Sequence, residues 1–455
     1  MRVLLVASYE LGHQPLYVAA PAGRLRERGH DVRCLDLSVE PWDPALVDWA
    51  DRIAFSVPMH TAMRIARGAI EHVREQRPAL PIACFGLYGP FMDDAADRVL
   101  GGETDRALVE WVEDVGPDNG VVVHLGRDAA QAGAPLPARD LLPSLDRYAH
   151  LAIDDEERLV GYVEASHGCA HRCRHCPVPV VYDGRLRIVD PDAVLADAAQ
   201  QVEAGARHLT FGDPDFLNGV HHSLRVVRAL HDSFPDVTFD CTVKVEHVLA
   251  HDGVWSELAD AGCLFVVSAF ESVDDATLAR LDKGHTAADA ARAVALLREH
   301  GIEVRPSWMP FTPWTTMEQI HAMLDFVAEH DLVANVDPVQ YTIRLLLPQG
   351  SLLLTHPDLA PYLGSYDAER SSYMWRSADP TMDDLHRRLA ALVEQRLAAA
   401  DDITSVYQAL RAECGLAPAV VRTASSASRP RLTESWFCCA EPTADQLGGV
   451  RQSAR

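Results

Sequence analysis

The sequence predicts an α/β protein in three parts: a doubly wound, Rossmann-like domain, a partial (β/α)6 barrel and a mainly helical extension. Three observations carry this. Short apolar runs alternate with helical stretches over residues 1–125. The alternation breaks over 126–160 and returns with a longer step over 161–348. No such repeat follows in 349–455. A chain of 455 residues, 48% of them hydrophobic, has the length for two or three domains and the apolar content to fill their cores.

In the first part the strand candidates are 2–8 (RVLLVAS), 31–37 (DVRCLDL), 52–57 (RIAFSV), 81–87 (PIACFGL) and 120–125 (GVVVHL). Their near-continuous hydrophobicity reads as parallel strands covered on both faces. Helices fit between them, for instance over 61–76. The stretch 126–160 mixes Ala, Gly and Pro with few periodic apolar positions and reads as a linker. From 161 the strand candidates are 161–166, 208–213, 237–243, 264–270, 302–308 and 337–347. One intervening helix runs from Asp190 as cap and Pro191 at its first position to Gly205. Another starts at Thr286, with Asp289 three residues on, and ends at Gly301; Ala290, Ala293, Val294 and Leu297 form its apolar stripe. Six βα units imply an incomplete barrel, with ligands at the C-terminal ends of its strands. Beyond it, 382–400 and 404–413 are helical and 423–432 reads as a mobile loop.

The net charge is −25, from 41 basic and 66 acidic residues. A nucleic-acid partner needs Lys and Arg to neutralise phosphates, so the balance disfavours one and points to a small-molecule or protein substrate. Excess acid also serves solubility alone. No apolar run reaches the ~18 residues of a membrane span. The apolar start is ended by Glu10 and His13 without a small-residue cleavage site, so a cytoplasmic enzyme is the expectation. Ten cysteines are too few for a disulfide scaffold. Cys34, Cys84, Cys241 and Cys263 sit singly in apolar surroundings and read as buried thiols.

The remaining chemistry concentrates in GCAHRCRHCP, residues 168–177, just after the first barrel strand. Three thiolates at spacings of four and three select zinc or iron–sulfur. A closed zinc site would need a histidine as fourth ligand, and His167, His171 and His175 are at hand. The C-x-x-x-C-x-x-C spacing after the first strand of a βα array, in EASHGCAHRCRHCPVP, resembles the cluster loop of the radical S-adenosylmethionine (SAM) enzymes. The likeness runs from about 161 to 348. It implies that Cys169, Cys173 and Cys176 bind three irons of a 4Fe–4S cluster and that SAM chelates the fourth. It further implies that an electron from the cluster splits SAM into methionine and a 5′-deoxyadenosyl radical, which takes hydrogen from the substrate. The family's usual aromatic residue before the third cysteine is His175 here.

Other segments extend the resemblance. TFGDPDF (210–216) stands where the family has a Gly-Gly-Glu motif, which makes Gly212, Asp213 and Asp215 candidates for SAM's amino group. A tight turn made by Gly-Asp-Pro is the simpler reading of the same residues. Lys244 ends the third strand. Ser268 or Glu271 would reach SAM's polar atoms from the fourth, with Lys283 and Gly284 belonging only to the helix connection. Arg305, on the fifth, is a candidate for SAM's carboxylate, or a surface arginine.

The first domain resembles the cobalamin-binding-like domains that precede many radical SAM barrels. It lacks their D-x-H-x-x-G loop, reading Glu10-Leu11-Gly12-His13-Gln14-Pro15 instead. Cobalamin is therefore open but not favoured, and the domain is expected to pack on the barrel or shape substrate access. Its crevice should involve Gly12, His13, Ser56, His60, Gly86 and Tyr88. GGETD (101–105) reads as a helix start. The tail, SWFCCAEP, is similar to that of the CUAEP/CCAEP-tail radical SAM group. That likeness implies that Cys439 reacts, with Cys438 as neighbour or resolving thiol. Adjacent α-carbons only ~3.8 Å apart make a disulfide between them strained. The expectation is a radical SAM enzyme acting on a small molecule, with an electron donor such as ferredoxin or flavodoxin. A cobalamin-dependent methyltransferase or methylthiotransferase is the alternative, and a non-catalytic zinc or iron–sulfur sensor is another class.

Overall fold

The computed structural model describes residues 1–115, 121–124, 135–421 and 429–434. Its first sheet is parallel throughout and contains β1 (Arg2–Ala7), β2 (Asp31–Asp36), β3 (Arg52–Ser56), β4 (Ile82–Phe85), β5 (Arg98–Gly102) and β6 (Val121–His124). The order β2-β1-β3-β4-β5-β6 reverses direction between β1 and β3, where doubly wound folds open a crevice at the strand ends. Val3 to Ala7 are fully buried, as a strand covered on both faces requires. The strand β5 was not expected. Its sequence RVLGG has too few apolar residues to show a period, and pairing with β4 holds it instead. Helix Asp105–Val112 does begin behind GGETD.

The stretch read as a linker carries a hairpin. It consists of β7 (His150–Ile153) and β8 (Glu156–Val163), joined by Asp154 and Asp155, both at positive φ (50° and 64°). Two consecutive left-handed residues give the twist of a tight two-residue hairpin, and Asp tolerates that conformation. The first barrel strand therefore begins before residue 161.

After β9 (Ser166–Gly168) and β10 (Leu186–Ile188), a small antiparallel pair, the barrel continues through β11 (His208–Phe211), β12 (Thr238–Thr242), β13 (Cys263–Glu271) and β14 (Glu303–Trp308). With β8 these make five parallel strands in the order β14-β13-β12-β11-β8, a curled half-barrel. The sixth expected strand, 337–347, is a 3-10 turn, Pro338–Thr342, followed by a single parallel bridge between Phe311 and Arg344. Pro338 opens that turn, because a proline at the first helical position loses no hydrogen bond. The helices follow the sequence signals. Asp190 caps Pro191–Glu203, and Thr286 with Asp289 forms a capping box on Ala287–Glu299. The latter buries Ala290, Ala293, Val294 and Leu297.

The extension has helices Pro380–Ala398 and Ile403–Glu413 but also an antiparallel hairpin, β15 (Leu363–Asp367) with β16 (Ser372–Trp375). The described end of the stretch read as a mobile loop is fixed. Arg429 is buried and pairs with Glu303 and Asp331, and β17 (Arg431–Leu432) adds to β7. Among the described residues no helix is long and apolar enough to cross a membrane.

Arg139 joins the domains. Its guanidinium pairs with Asp197 at 2.8 Å and donates to the carbonyls of Gln14 (2.8 Å) and Tyr162 (2.7 Å). Both charged side chains are only 6% exposed, so removing one strands the other in a dry interior. Arg139→Ala is expected to lose about 3–5 kcal/mol of stability, read by urea unfolding at neutral pH.

Candidate active site

The three cysteines of the cluster loop reach one cavity of about 280 Å³. Gly168 launches the loop at φ +76°; a Cβ there would stand 2.3 Å from the Arg185 carbonyl, so only glycine fits. The backbone of Arg174 fixes the middle. Its N–H donates to the Leu281 carbonyl, and its own carbonyl accepts from Leu353 N–H and Ser351 Oγ. The Cys176 N–H donates to the Cys173 carbonyl at 3.2 Å, which tightens the second half. Asn218 Nδ2 donates to Cys169 Sγ at 3.3 Å; burial nevertheless pushes this thiol's pKa up.

Around the thiols the strand ends supply Gly212, Asp213, Lys244, Glu271 and Arg305, all on the cavity wall. Gly212 lies against Tyr162, whose hydroxyl would overlap a Cβ at 1.8 Å. Asp213 accepts from the Ala165 N–H (2.9 Å) and Ser166 Oγ (2.5 Å), bracing the approach to the cluster loop. Burial outweighs those bonds and pushes its carboxyl up to about 7. Lys244 Nζ pairs with Glu246 at 3.0 Å. Arg305 pairs with Asp337 at 3.1 Å and donates to the Pro430 carbonyl at 3.4 Å, so it is no surface arginine.

Two expected residues are placed elsewhere. Ser268 is fully buried away from the cavity, its hydroxyl donating to the Val243 carbonyl at 2.7 Å. That commitment ties β13 to the end of β12 and leaves no donor for a cofactor. Asp215 is turned aside, one oxygen capping Leu217 N–H and the other facing His247. Lys283, read as mere connection, is buried on the cavity wall. Its Nζ donates to Glu271 Oε1 at 3.1 Å, and His175 Nε2 lies 3.1 Å from the same oxygen. Burial alone would raise the Glu271 carboxyl; Lys283 and His175 outweigh it and hold it well below the usual range. Cys84, Cys241 and Cys263 are buried, whereas Cys34 is partly exposed. Cys438 and Cys439 lie outside the described residues.

The N-terminal domain closes the cavity with Leu11, His13, Pro58, Met59, Leu87 and Tyr88. Of the crevice residues expected from the sequence, His13 and Tyr88 face it. Ser56 is 3.4 Å from Glu10, His60 bonds the Arg370 carbonyl, and Gly86 packs on Val57. Burial pushes His13 down to about 4, so its ring, 4.8 Å from that of Tyr162, is neutral. Sequence reading also missed Glu103. Its carboxylate is 3.0 Å from His167 Nδ1 and accepts from Tyr182, while His167 Nε2 lies 3.1 Å from Glu164. The signal was a glutamate beside two glycines at a strand end.

These residues fit an iron–sulfur cluster better than a closed zinc site. Three soft thiols share a cavity, and each histidine offered as a fourth zinc ligand is engaged elsewhere: His167 by two glutamates, His171 by Asp215 and His247, His175 by Glu271. The cavity beside them, with both cations and carboxylates, fits a zwitterion such as SAM. The fit to a corrinoid is incomplete. Glu434 fills the space beside Gly12 and accepts from Tyr9 Oη, and His13 is packed on Tyr162.

Residues 163–327 match the family model of the Radical SAM superfamily. The chain is 22% identical over 288 residues to the hopanoid C-2 methylase of Rhodopseudomonas palustris, covering 60% of this chain and 52% of that one. It is 26% identical over 183 residues to the ribosomal protein uS12 methylthiotransferase RimO of Bdellovibrio bacteriovorus, covering 37% and 40%. The chain thus spans about half the length, or less, of these curated relatives. The solved structure of the cobalamin-dependent S-adenosylmethionine radical enzyme OxsB with aqua-cobalamin bound superposes with a TM-score of 0.68 at 15% identity. That match covers 87% of this chain and 67% of the other, and at such identity it shows the fold. Residues 163–327 thus carry a Radical SAM domain, and the chain as a whole shares the fold of the OxsB structure.

The Glu271 pairing has a pH consequence. A carboxyl depressed in the folded state contributes stability that is present above its unfolded pKa of ~4.3 and is lost as pH falls through the folded value. Lys283→Met removes the main cation. It is expected to cost about 3–5 kcal/mol at pH 7 and clearly less at pH 4, where a protonated Glu271 needs no partner; urea unfolding at both pH values reads the difference.

Proposed function

We propose that this protein holds a 4Fe–4S cluster on Cys169, Cys173 and Cys176, binds SAM beside it and abstracts hydrogen from a small organic substrate. The convergence of the three thiols on a cavity with Asp213, Lys244, Glu271 and Arg305 on its wall carries the reading. When bound, the cluster and SAM supply one-electron cleavage of the sulfonium. The chain's residues do the rest. Lys244 and Arg305 offer positive charge to SAM's carboxylate, Glu271 offers negative charge to its ammonium, and Asp213 offers a carboxyl oxygen as a hydrogen-bond acceptor. Lys283 and His175 keep Glu271 ionised. Gly212 lines the same cavity, its missing Cβ making room for the Tyr162 ring. Met59, Leu87, Phe265 and Val267 make much of the wall apolar, which keeps water away from a reactive intermediate.

The net charge of −25, which disfavours a nucleic-acid partner, supports a small-molecule substrate. The reductant is a small electron-transfer protein such as ferredoxin or flavodoxin. Anaerobic reconstitution with iron and sulfide, followed by a SAM cleavage assay, tests the reading. A protein that assembles a cluster and leaves SAM intact would be a sensor rather than an enzyme. Cys173→Ser is expected to abolish both cluster absorbance and SAM cleavage; retained cleavage contradicts the proposal.

A second reading is corrinoid-dependent methyl transfer. It is supported by the likeness to a cobalamin-bound fold over 87% of the chain and by a methylase among the relatives. Corrinoid absorbance that stays with the protein through gel filtration after incubation with hydroxocobalamin would favour it. In either reading Cys439 is the reactive tail thiol, with Cys438 beside it. Cys439→Ala is expected to keep cluster content and uncoupled SAM cleavage and to lose product; unchanged turnover would return Cys439 to packing.

A further inference from the structure

A second group of ligating side chains lies beside the cluster loop, outside the machinery described above. His171 stands between Cys169 and Cys173 on that loop. Asp215 follows β11, and His247 is in the short helix Val245–Ala250 that follows β12. Three separate chain segments therefore bring two imidazoles and one carboxylate together. His171 Nε2 is 3.1 Å from His247 Nε2 and 3.7 Å from Asp215 Oδ2, and His247 Nδ1 is 2.8 Å from Asp215 Oδ2. One ligand atom from each of the three residues lies within 4.8 Å of the other two, close enough for a single ion to be shared.

A hydrogen bond between His171 Nε2 and His247 Nε2 accounts for the two imidazoles, but none accounts for the carboxylate's Oδ2. Asp215 is fully buried, yet its Oδ2 has no hydrogen-bond partner, and neither does His247 Nδ1. The two atoms face each other at 2.8 Å without the alignment of a hydrogen bond. A buried carboxylate oxygen left without a donor is costly. A cation between the two atoms removes that cost. Asp215 is otherwise well set for ligation, since its Oδ1 is held by the Leu217 N–H. The side chains of His171 and His247 are 20% and 16% exposed, so an ion can reach them and keep water as a further ligand. The nearby charges, Lys244 and Glu246, pair with each other at 3.0 Å and leave little net repulsion.

We propose that His171, Asp215 and His247 bind a divalent transition-metal ion of the zinc class, at a mononuclear centre separate from the three thiols. The ion would clamp the cluster loop to the ends of β11 and β12. Two imidazoles and one carboxylate with room for water suit zinc and its neighbours rather than magnesium or calcium, which take all-oxygen sites.

The test uses the full chain with its iron–sulfur centre already reconstituted, so that the thiols are occupied. The protein is incubated with zinc chloride, passed over chelating resin and analysed for zinc and iron by mass spectrometry. Wild type is expected to retain about one zinc per chain beyond the iron. His247→Ala and Asp215→Asn are expected to lose that zinc while keeping iron content and cluster absorbance. No retained zinc in wild type overturns the proposal, as does zinc retained in both variants. Loss of iron together with zinc in both variants overturns the separateness of the centre. The readouts are metal contents, so they stand whether or not the protein cleaves SAM.

Discussion

A charge taken out of water must meet its opposite, and that constraint organises both the contact between the two domains and the inside of the barrel. Arg139 and Asp197, Glu103 with His167, Glu271 with Lys283, Arg305 with Asp337, and Arg429 with Glu303 and Asp331 are all buried or nearly so. Apart from Glu271 and Lys283, twelve positions apart, these pairs join residues far from each other in sequence. Deep pairs of this kind are weak sources of net stability, because desolvation cancels most of the attraction. What they impose is placement: each pair tolerates few other arrangements, so the strand ends and the cluster loop are held in fixed relation.

The cluster loop depends on that placement. Its own ten residues include one conformationally special glycine and a tight turn between Cys173 and Cys176. Its position comes from outside, from Leu281, Ser351 and Leu353 around Arg174 and from Asp213 beneath Ala165 and Ser166. Three thiols can therefore face one cavity while the loop itself remains irregular. The N-terminal domain adds an apolar and aromatic wall, and the chain's last described residues cross back to it, with Glu434 on Tyr9 and β17 on β7. The cavity is thus bounded by segments from the beginning, middle and end of the chain.

Much of the fold was legible because its signals are local. Strands such as Leu4–Val6 or Val266–Val267 are runs of apolar residues, and the Thr286–Asp289 capping box is written in four positions. Where local signals are weak, the reading failed. The strand β5 has two glycines among its five residues, and the β7–β8 hairpin turns on Asp154-Asp155 rather than on glycine. The expected sixth barrel strand begins Asp337-Pro338, which favours a helical turn over the extended chain that its later leucines suggested. Ser268 looked like a ligand by its place at a strand end, yet a single hydrogen bond to Val243 commits it to the core.

The sequence by itself determined the kind of protein. Cysteine spacing and βα periodicity are properties of neighbours along the chain, and each carries its chemistry without reference to distant residues. Only the tertiary structure decided which charged groups surround the thiols. Whether Lys283 faces solvent or Glu271, whether Asp215 faces a cofactor or His247, and whether Arg305 is exposed or held by Asp337 and Pro430 are questions of pairing across the fold. A side chain's charge is a local fact; its partner, and hence its role, is settled by contacts between segments that the order of residues does not specify.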